Sequence, residues 1–177
     1  MLTILCIDND QQCLTQLRHD LQLLFTEAFA ISTATDLQQA DLFLSQQYTQ
    51  VALILCSQKL ISANPLSIWQ NEKYQAIRKI IYAREATAEQ LVDSINIAQC
   101  NYFLALPYHT KVLQKIINAQ IIDYNKSIIN KCSNRLQSSD NSGKDEVILK
   151  QTESKLSHQF QEKFLDYSLY SDSNYPI

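Results

Sequence analysis

Val51-Ala-Leu-Ile-Leu-Cys56-Ser57 is the stretch on which the reading of this chain turns. It is a short apolar run bounded by polar residues, the pattern of a strand covered on both faces. It ends on a small, potentially reactive side chain, Cys56. In open parallel sheets, ligands and chemistry gather beyond the carboxyl ends of such strands. What surrounds Cys56 is therefore the functional question.

Outward from that strand (β3, Val51–Leu55), the chain alternates. Leu2-Thr-Ile-Leu-Cys-Ile7 reads as a first strand, β1, and stops at the turn-forming Asp8-Asn9-Asp10. Helix α1 follows from Gln11 to Phe25, with Leu14, Leu17, Leu21 and Leu24 at helical spacing. Ala30–Ala34 is a short β2, and Asp36 caps α2, Leu37–Gln47. Beyond β3, Asn64-Pro65 marks a loop, and α3 is expected over Leu66–Glu72. Arg78–Tyr82 is β4, and Thr87-Ala-Glu-Gln90 resembles a capping box opening α4, which runs to about Gln99. Asn101–Leu106 is β5, followed by Pro107, and Thr110 caps α5, which begins at Lys111. Strand–helix alternation of this kind predicts a doubly wound α/β fold: a five-stranded parallel sheet with helices on both faces.

The apolar pattern of α5 (Val112, Leu113, Ile116, Ile117, Ala119, Ile122) continues through Ile128 and Ile129, further than covering a sheet requires. Ser138–Gly143 is a break, Glu146–Leu165 reads as another amphipathic helix, and Ser168–Ile177 as a disordered polar tail. The expected organisation is an α/β domain over residues 1–122, a helical extension over 123–167, and a tail over 168–177.

Composition narrows the function classes. With 177 residues, 46 % of them hydrophobic, the chain can bury a sizeable core. A net charge of −3 does not suggest binding to nucleic acid or membrane surfaces. Neither a bilayer-spanning run nor a cationic leader flank is present, so a soluble cytoplasmic protein is expected. The five cysteines (Cys6, Cys13, Cys56, Cys100, Cys132) show no zinc-finger spacing and read as reduced thiols. Gly143 is the single glycine, which excludes a glycine-rich phosphate loop from the α/β part. His19, His109 and His158 are scattered, and no catalytic triad or carboxylate pair assembles from motif spacing.

Three stretches together resemble the receiver domain of bacterial two-component response regulators, the CheY-like branch of the flavodoxin-like folds. Ile4–Asp10 resembles its acidic β1 end, Val51–Cys56 the strand that normally ends in the phosphoaccepting aspartate, and Ala105-Leu-Pro-Tyr108 the lysine–proline stretch after β5. The resemblance covers Leu2 to about Ala119. It implies an acid pair and an acceptor aspartate that hold Mg²⁺ for phosphoryl transfer. It also implies a hydroxyl residue ending β4 and a lysine ending β5. In this chain Asp8 matches the first acid, but Asn9 replaces the second and Cys56 stands at the acceptor position. Ala83 replaces the hydroxyl residue and Leu106 the lysine, while Pro107 remains, in the cis form the family uses. Phe103 falls at the aromatic switch position, and beside Ala83 it has room to stay inward.

These substitutions all remove charge or hydroxyl from one pocket, which leads to the expectation of a pseudo-receiver. It would be a non-enzymatic, cofactor-free interaction module, independent of phosphorylation. Its partner would be a kinase or output protein docked on the α4–β5–α5 face, and the extended α5 would support a homodimer. Two alternatives stand beside it. Asp8 and Asp10 are weak candidates for holding a cation in a residual phosphorelay, against a plain role in capping α1. Cys56 is a candidate redox switch, against an unreactive buried thiol, because Asp8 nearby would raise its pKa. Tyr82, Tyr102 and Tyr108 read as strand and rim aromatics.

Overall fold

β3 (Val51–Ser57) lies at the middle of the sheet and is buried at every position. In a computed structural model that describes residues 1–63, 71–96 and 98–137, five parallel strands run in the order β2-β1-β3-β4-β5. The other strands are β1 (Leu2–Ile7), β2 (Phe29–Ala34), β4 (Arg78–Ala83) and β5 (Tyr102–Ala105). The strand order reverses between β1 and β3, so their carboxyl ends form the crevice where this topology places its site. This is the predicted doubly wound, five-stranded parallel sheet with a C-terminal helix.

Period-two alternation sorts the strand residues onto two faces. Leu5, Ile7, Ile54, Cys56 and Ile81 form one core with Ala40 and Leu44 of α2 (Leu37–Gln47) and Leu60 and Ile61 of α3 (Gln58–Ala63). Ile4, Cys6, Leu53, Leu55, Ile80 and Leu104 alternate onto the other face. They are matched by buried Leu14, Leu17 and Leu21 of α1 (Gln11–Leu24) and by Leu113, Ile116, Ile117 and Ile121 of α5 (Thr110–Gln137). Each fully buried aliphatic side chain contributes about 1.5–3 kcal/mol, so the two layers fix the strand register, and with it the face each site residue takes.

The helix starts follow their predicted chemistry with one exception. Asp10 caps α1, its carboxylate accepting from the Gln12 and Cys13 N–H groups at 2.9 and 3.2 Å. Asp36 caps α2 through the Gln39 N–H at 2.7 Å. Thr87 and Gln90 form a reciprocal capping box, at 3.2 and 3.0 Å, ahead of α4 (Ala88–Asn96). Thr110, predicted as the cap of α5, is instead its first helical residue, and the Val112 and Leu113 N–H groups bond back to the His109 carbonyl.

α3 follows β3 directly at Gln58–Ala63, ahead of the stretch Leu66–Glu72 where a helix was expected. Residues 64–70 lie outside the described residues, and Glu72–Tyr74 forms one 3-10 turn. Ile61, 1 % exposed, ties α3 to the core. The predicted break at 138–143, the helix 146–165 and the tail 168–177 also lie outside the described residues. The chain divides into Met1–Ser127 and Ile128–Ile177. With a single glycine in the chain, two left-handed backbone positions among the described residues fall to Glu27 (φ 61) and Gln99 (φ 49), each at a cost of about 1–2 kcal/mol. Among the described residues, no helix is long and apolar enough to cross a membrane.

Candidate functional site

Asp8 follows β1 directly and, by alternation, points to the α1/α5 face. It is only 3 % exposed, yet both carboxylate oxygens are engaged. Oδ1 accepts the Asp10 N–H at 3.0 Å, and Oδ2 accepts the Tyr82 hydroxyl at 2.8 Å. Tyr82 reaches it because Tyr82 pairs with Ser57 across β3–β4, which places its ring on the face that Asp8 occupies. Burial, and then the Asp8 charge, push the Tyr82 hydroxyl well above its ordinary pKa, so it remains a donor. Tyr82 is thus a strand aromatic whose hydroxyl is committed to Asp8.

Cys56 lies on the opposite face. It pairs with Ile7 and Ile81 and is fully buried among aliphatic side chains. Its thiol lies 3.4 Å from the Ser57 carbonyl. Burial, followed by the Asp8 charge, raises its pKa well above the ordinary value, so the reactive thiolate is disfavoured. Phe103 pairs with Ile81 and packs, partly buried, against the same core. Ala83 pairs with Ala105 two residues further on, on the Phe103 side. Asn9 and Asp10 are exposed. The Leu106–Pro107 peptide is cis, and the Leu106 N–H donates to the Ala83 carbonyl at 2.7 Å, holding the loop beside β4.

The residues assigned to one pocket therefore gather at one end of the sheet but divide between its faces. This donor set does not fit Mg²⁺. Asn9 is neutral, Asp8 already has two protein donors, and a buried thiol is a poor ligand for a hard cation. Among the described residues no group of three or more His, Cys, Asp or Glu side chains is placed to hold a metal ion.

One concavity lies on the α1 side of the sheet. It is a cleft of about 540 Å³ bounded by α1, the ends of β4 and β5, and the start of α5. Asp10, Leu106 and Pro107 line it, whereas Asp8, Asn9, Cys56 and Ala83 do not. One wall is built on Asp20, which is 8 % exposed and accepts the Tyr108 hydroxyl at 2.8 Å and the Gln16 side-chain amide at 2.9 Å. Burial and the bond to Asp20 raise the Tyr108 pKa. Tyr108 lies past the end of β5, at the rim of the sheet, and its bond to Asp20 is the part the sequence reading did not contain; Tyr102, on β5, is 41 % exposed. The sequence carried a signal for Asp20, since a carboxylate between Leu17 and Leu21 sits on the buried stripe of α1 and must find a donor.

Replacing Tyr82 by Phe is expected to lower stability by about 1–3 kcal/mol, because it removes a donor from a buried carboxylate while conserving ring volume. Urea unfolding of Tyr82→Phe, Asp8→Asn and the double variant measures this. The two single effects should fail to add, the sign of a direct bond.

No protein-family model and no curated protein sequence matches this chain. Solved structures do resemble it. The signal receiver domain of an HD domain-containing protein from Pseudomonas fluorescens superposes with a TM-score of 0.60 at 17 % identity, covering 71 % of this chain and 90 % of that one. The receiver domain of a DNA-binding response regulator from Colwellia psychrerythraea gives 0.59 at 16 % identity, covering 68 % and 98 %. A response regulator receiver domain from Clostridium thermocellum gives 0.59 at 16 % identity, covering 73 % and 99 %. At such identities the likeness establishes architecture, and the architecture of this chain is the CheY-like receiver fold.

Proposed function

We propose that this chain is a pseudo-receiver: a response-regulator-type interaction module in bacterial signal transduction, working without aspartyl phosphorylation and without catalysis of its own. The observation that carries this reading is the state of Asp8. Its two oxygens are held by Asp10 and Tyr82, while the side chain at the acceptor position is a buried thiol on the other side of the sheet. The buried, pKa-raised Cys56 also favours this reading over a redox switch.

The partner would be a kinase or an output protein, docked on the α4–β5–α5 face. Val92 and Ile95 of α4, Tyr102 of β5 and Val112 of α5 are exposed at 52, 61, 41 and 46 %, and apolar side chains of this kind favour a protein partner. The long α5, with Ile122 half exposed, would support a homodimer. The reading places the protein in the cytoplasm, away from nucleic acid and membrane.

Treatment of the full chain with acetyl phosphate and Mg²⁺ tests the proposal. Intact-mass spectrometry should show no phosphoprotein, and beryllofluoride with Mg²⁺ should leave the amide signals near Asp8 and Cys56 unmoved. A saturable beryllofluoride shift at those amides would overturn it.

A further inference from the structure

The cleft beside α1 holds a guanidinium that the fold leaves unpaired and a helix-capping carboxylate that faces no cation across it. Arg84, exposed at the end of β4, makes no ion pair or hydrogen bond among the described residues. Asp10 accepts from the backbone N–H groups of Gln12 and Cys13, both neutral donors; among the described residues no cation stands within ion-pair distance, the charge of Lys59 acting on it from further off. Both side chains line the same cleft without pairing with each other. The inner lining is apolar: Leu17 and Leu104 are each 4 % exposed, and Leu106 and Pro107 continue it outward. Gln12 and Thr110 add exposed hydrogen-bonding groups at the rim. The Asp20–Tyr108 bond fixes the wall from α1 to the β5–α5 loop, so the cleft is preorganised.

An apolar lining with a few convergent polar groups, in a volume of this size, is the make-up of a small-molecule site. Its charge pattern selects the ligand. Two carboxylates and one guanidinium line the cleft; Asp20 is already bonded to Tyr108 and Gln16, which leaves Asp10 and Arg84 to meet a ligand, and a ligand of single sign would face a like charge at one of them. A polyphosphate or a divalent cation is disfavoured for the same reason. A small zwitterion satisfies both groups, and the apolar lining adds a preference for a hydrocarbon side chain.

We infer that the cleft between α1 and the β5–α5 loop binds a free amino acid with an apolar side chain. Its carboxylate is taken by Arg84, its ammonium by Asp10, and its side chain lies against Leu17, Leu104, Leu106 and Pro107. This goes beyond the interaction module proposed above and does not depend on it, because Cys56, Asn9 and Ala83 are not part of the cleft. The module would then be responsive to a diffusible small molecule.

The test is an NMR titration of the labelled full chain with three probes that share one hydrocarbon body: L-phenylalanine, phenylacetate and phenethylamine. L-Phenylalanine should give saturable shifts at Gln12–Leu17, Arg84 and Leu104–Thr110. Each single-charge probe should bind about tenfold more weakly, the factor carried by one charge-assisted hydrogen bond. Arg84→Gln and Asp10→Asn should each cost the same factor for L-phenylalanine. Arg84 is exposed, and Asn is as good a helix cap as Asp, so both variants should fold. No saturable shift with L-phenylalanine, equal binding of all three probes, or unchanged affinity in both variants would each overturn the proposal. Failure here leaves the phosphorylation test untouched, since that test reads a different set of residues.

Discussion

Replacing Cys56 by aspartate is expected to destabilise the protein by roughly 3–5 kcal/mol at neutral pH and to create no phosphoacceptor. The side chain at this position is fully buried and packs with Ile7, Ile54 and Ile81. A carboxylate placed there has neither a metal nor a cation to offset its desolvation, and an unpaired buried charge costs about this much. Cys56→Ser, which adds a neutral hydroxyl, should lose markedly less. The aspartate variant should also recover stability on acidification, because burial raises its folded pKa above the unfolded value and the loss grows with pH between the two. Urea midpoints at pH 4.5 and 7.5, with acetyl phosphate labelling alongside, measure both effects. Stoichiometric labelling of this single variant would show that the pocket retains more chemistry than its geometry provides.

Stability is expected to collapse above pH 9. Cys6 and Cys56 are fully buried; burial pushes the Cys6 pKa up to about 12 from 9.0 and that of Cys56 well above 9.0. Tyr82, held against Asp8, is raised from 10.0. Below 9.0 folded and unfolded chains carry the same protons on these groups, and stability does not depend on them. Above it the unfolded chain releases protons that the folded chain keeps, so stability falls as pH rises. At about 1.4 kcal/mol per proton per pH unit, the two thiols give a slope of roughly 3 kcal/mol per unit above 9.0. Tyr82 steepens this to roughly 4 above 10.0. Urea midpoints at pH 8, 9.5 and 10.5 read this directly, and a Cys6→Ala, Cys56→Ala double variant should flatten the first part of the fall. An unchanged midpoint through pH 10.5 would show that these thiols are not shielded from solvent.

The fold was legible because each strand run, Val51–Leu55 above all, is apolar throughout and separated by amphipathic helices whose caps are written in side chains such as Asp10, Asp36 and Thr87. The site was only half legible. Residue type located Asp8, Cys56, Ala83, Phe103 and Leu106 at one end of the sheet, but type does not reveal face. Register decides that Cys56 and Asp8 point to opposite layers, and register follows from packing across the whole sheet. The Tyr82–Asp8 and Tyr108–Asp20 bonds were missed for a related reason. A tyrosine is at home as an ordinary strand or rim residue, and its hydroxyl partner lies far away in sequence. The role of Arg84 was not legible, because the cleft it lines has no signature in any single stretch.

That distance has a kinetic consequence. The Tyr82–Asp8 bond joins residues 74 apart and the Tyr108–Asp20 bond residues 88 apart. Closing loops of that length before the intervening strands have paired is entropically unfavourable. Both bonds are therefore expected to form in the last stage of assembly, after the transition state is crossed. Contacts absent from the transition state act on the unfolding rate alone. The two tyrosines that replace solvent around buried carboxylates thus serve as clasps: they do little to help the sheet find its register, and they set how long it keeps that register once found.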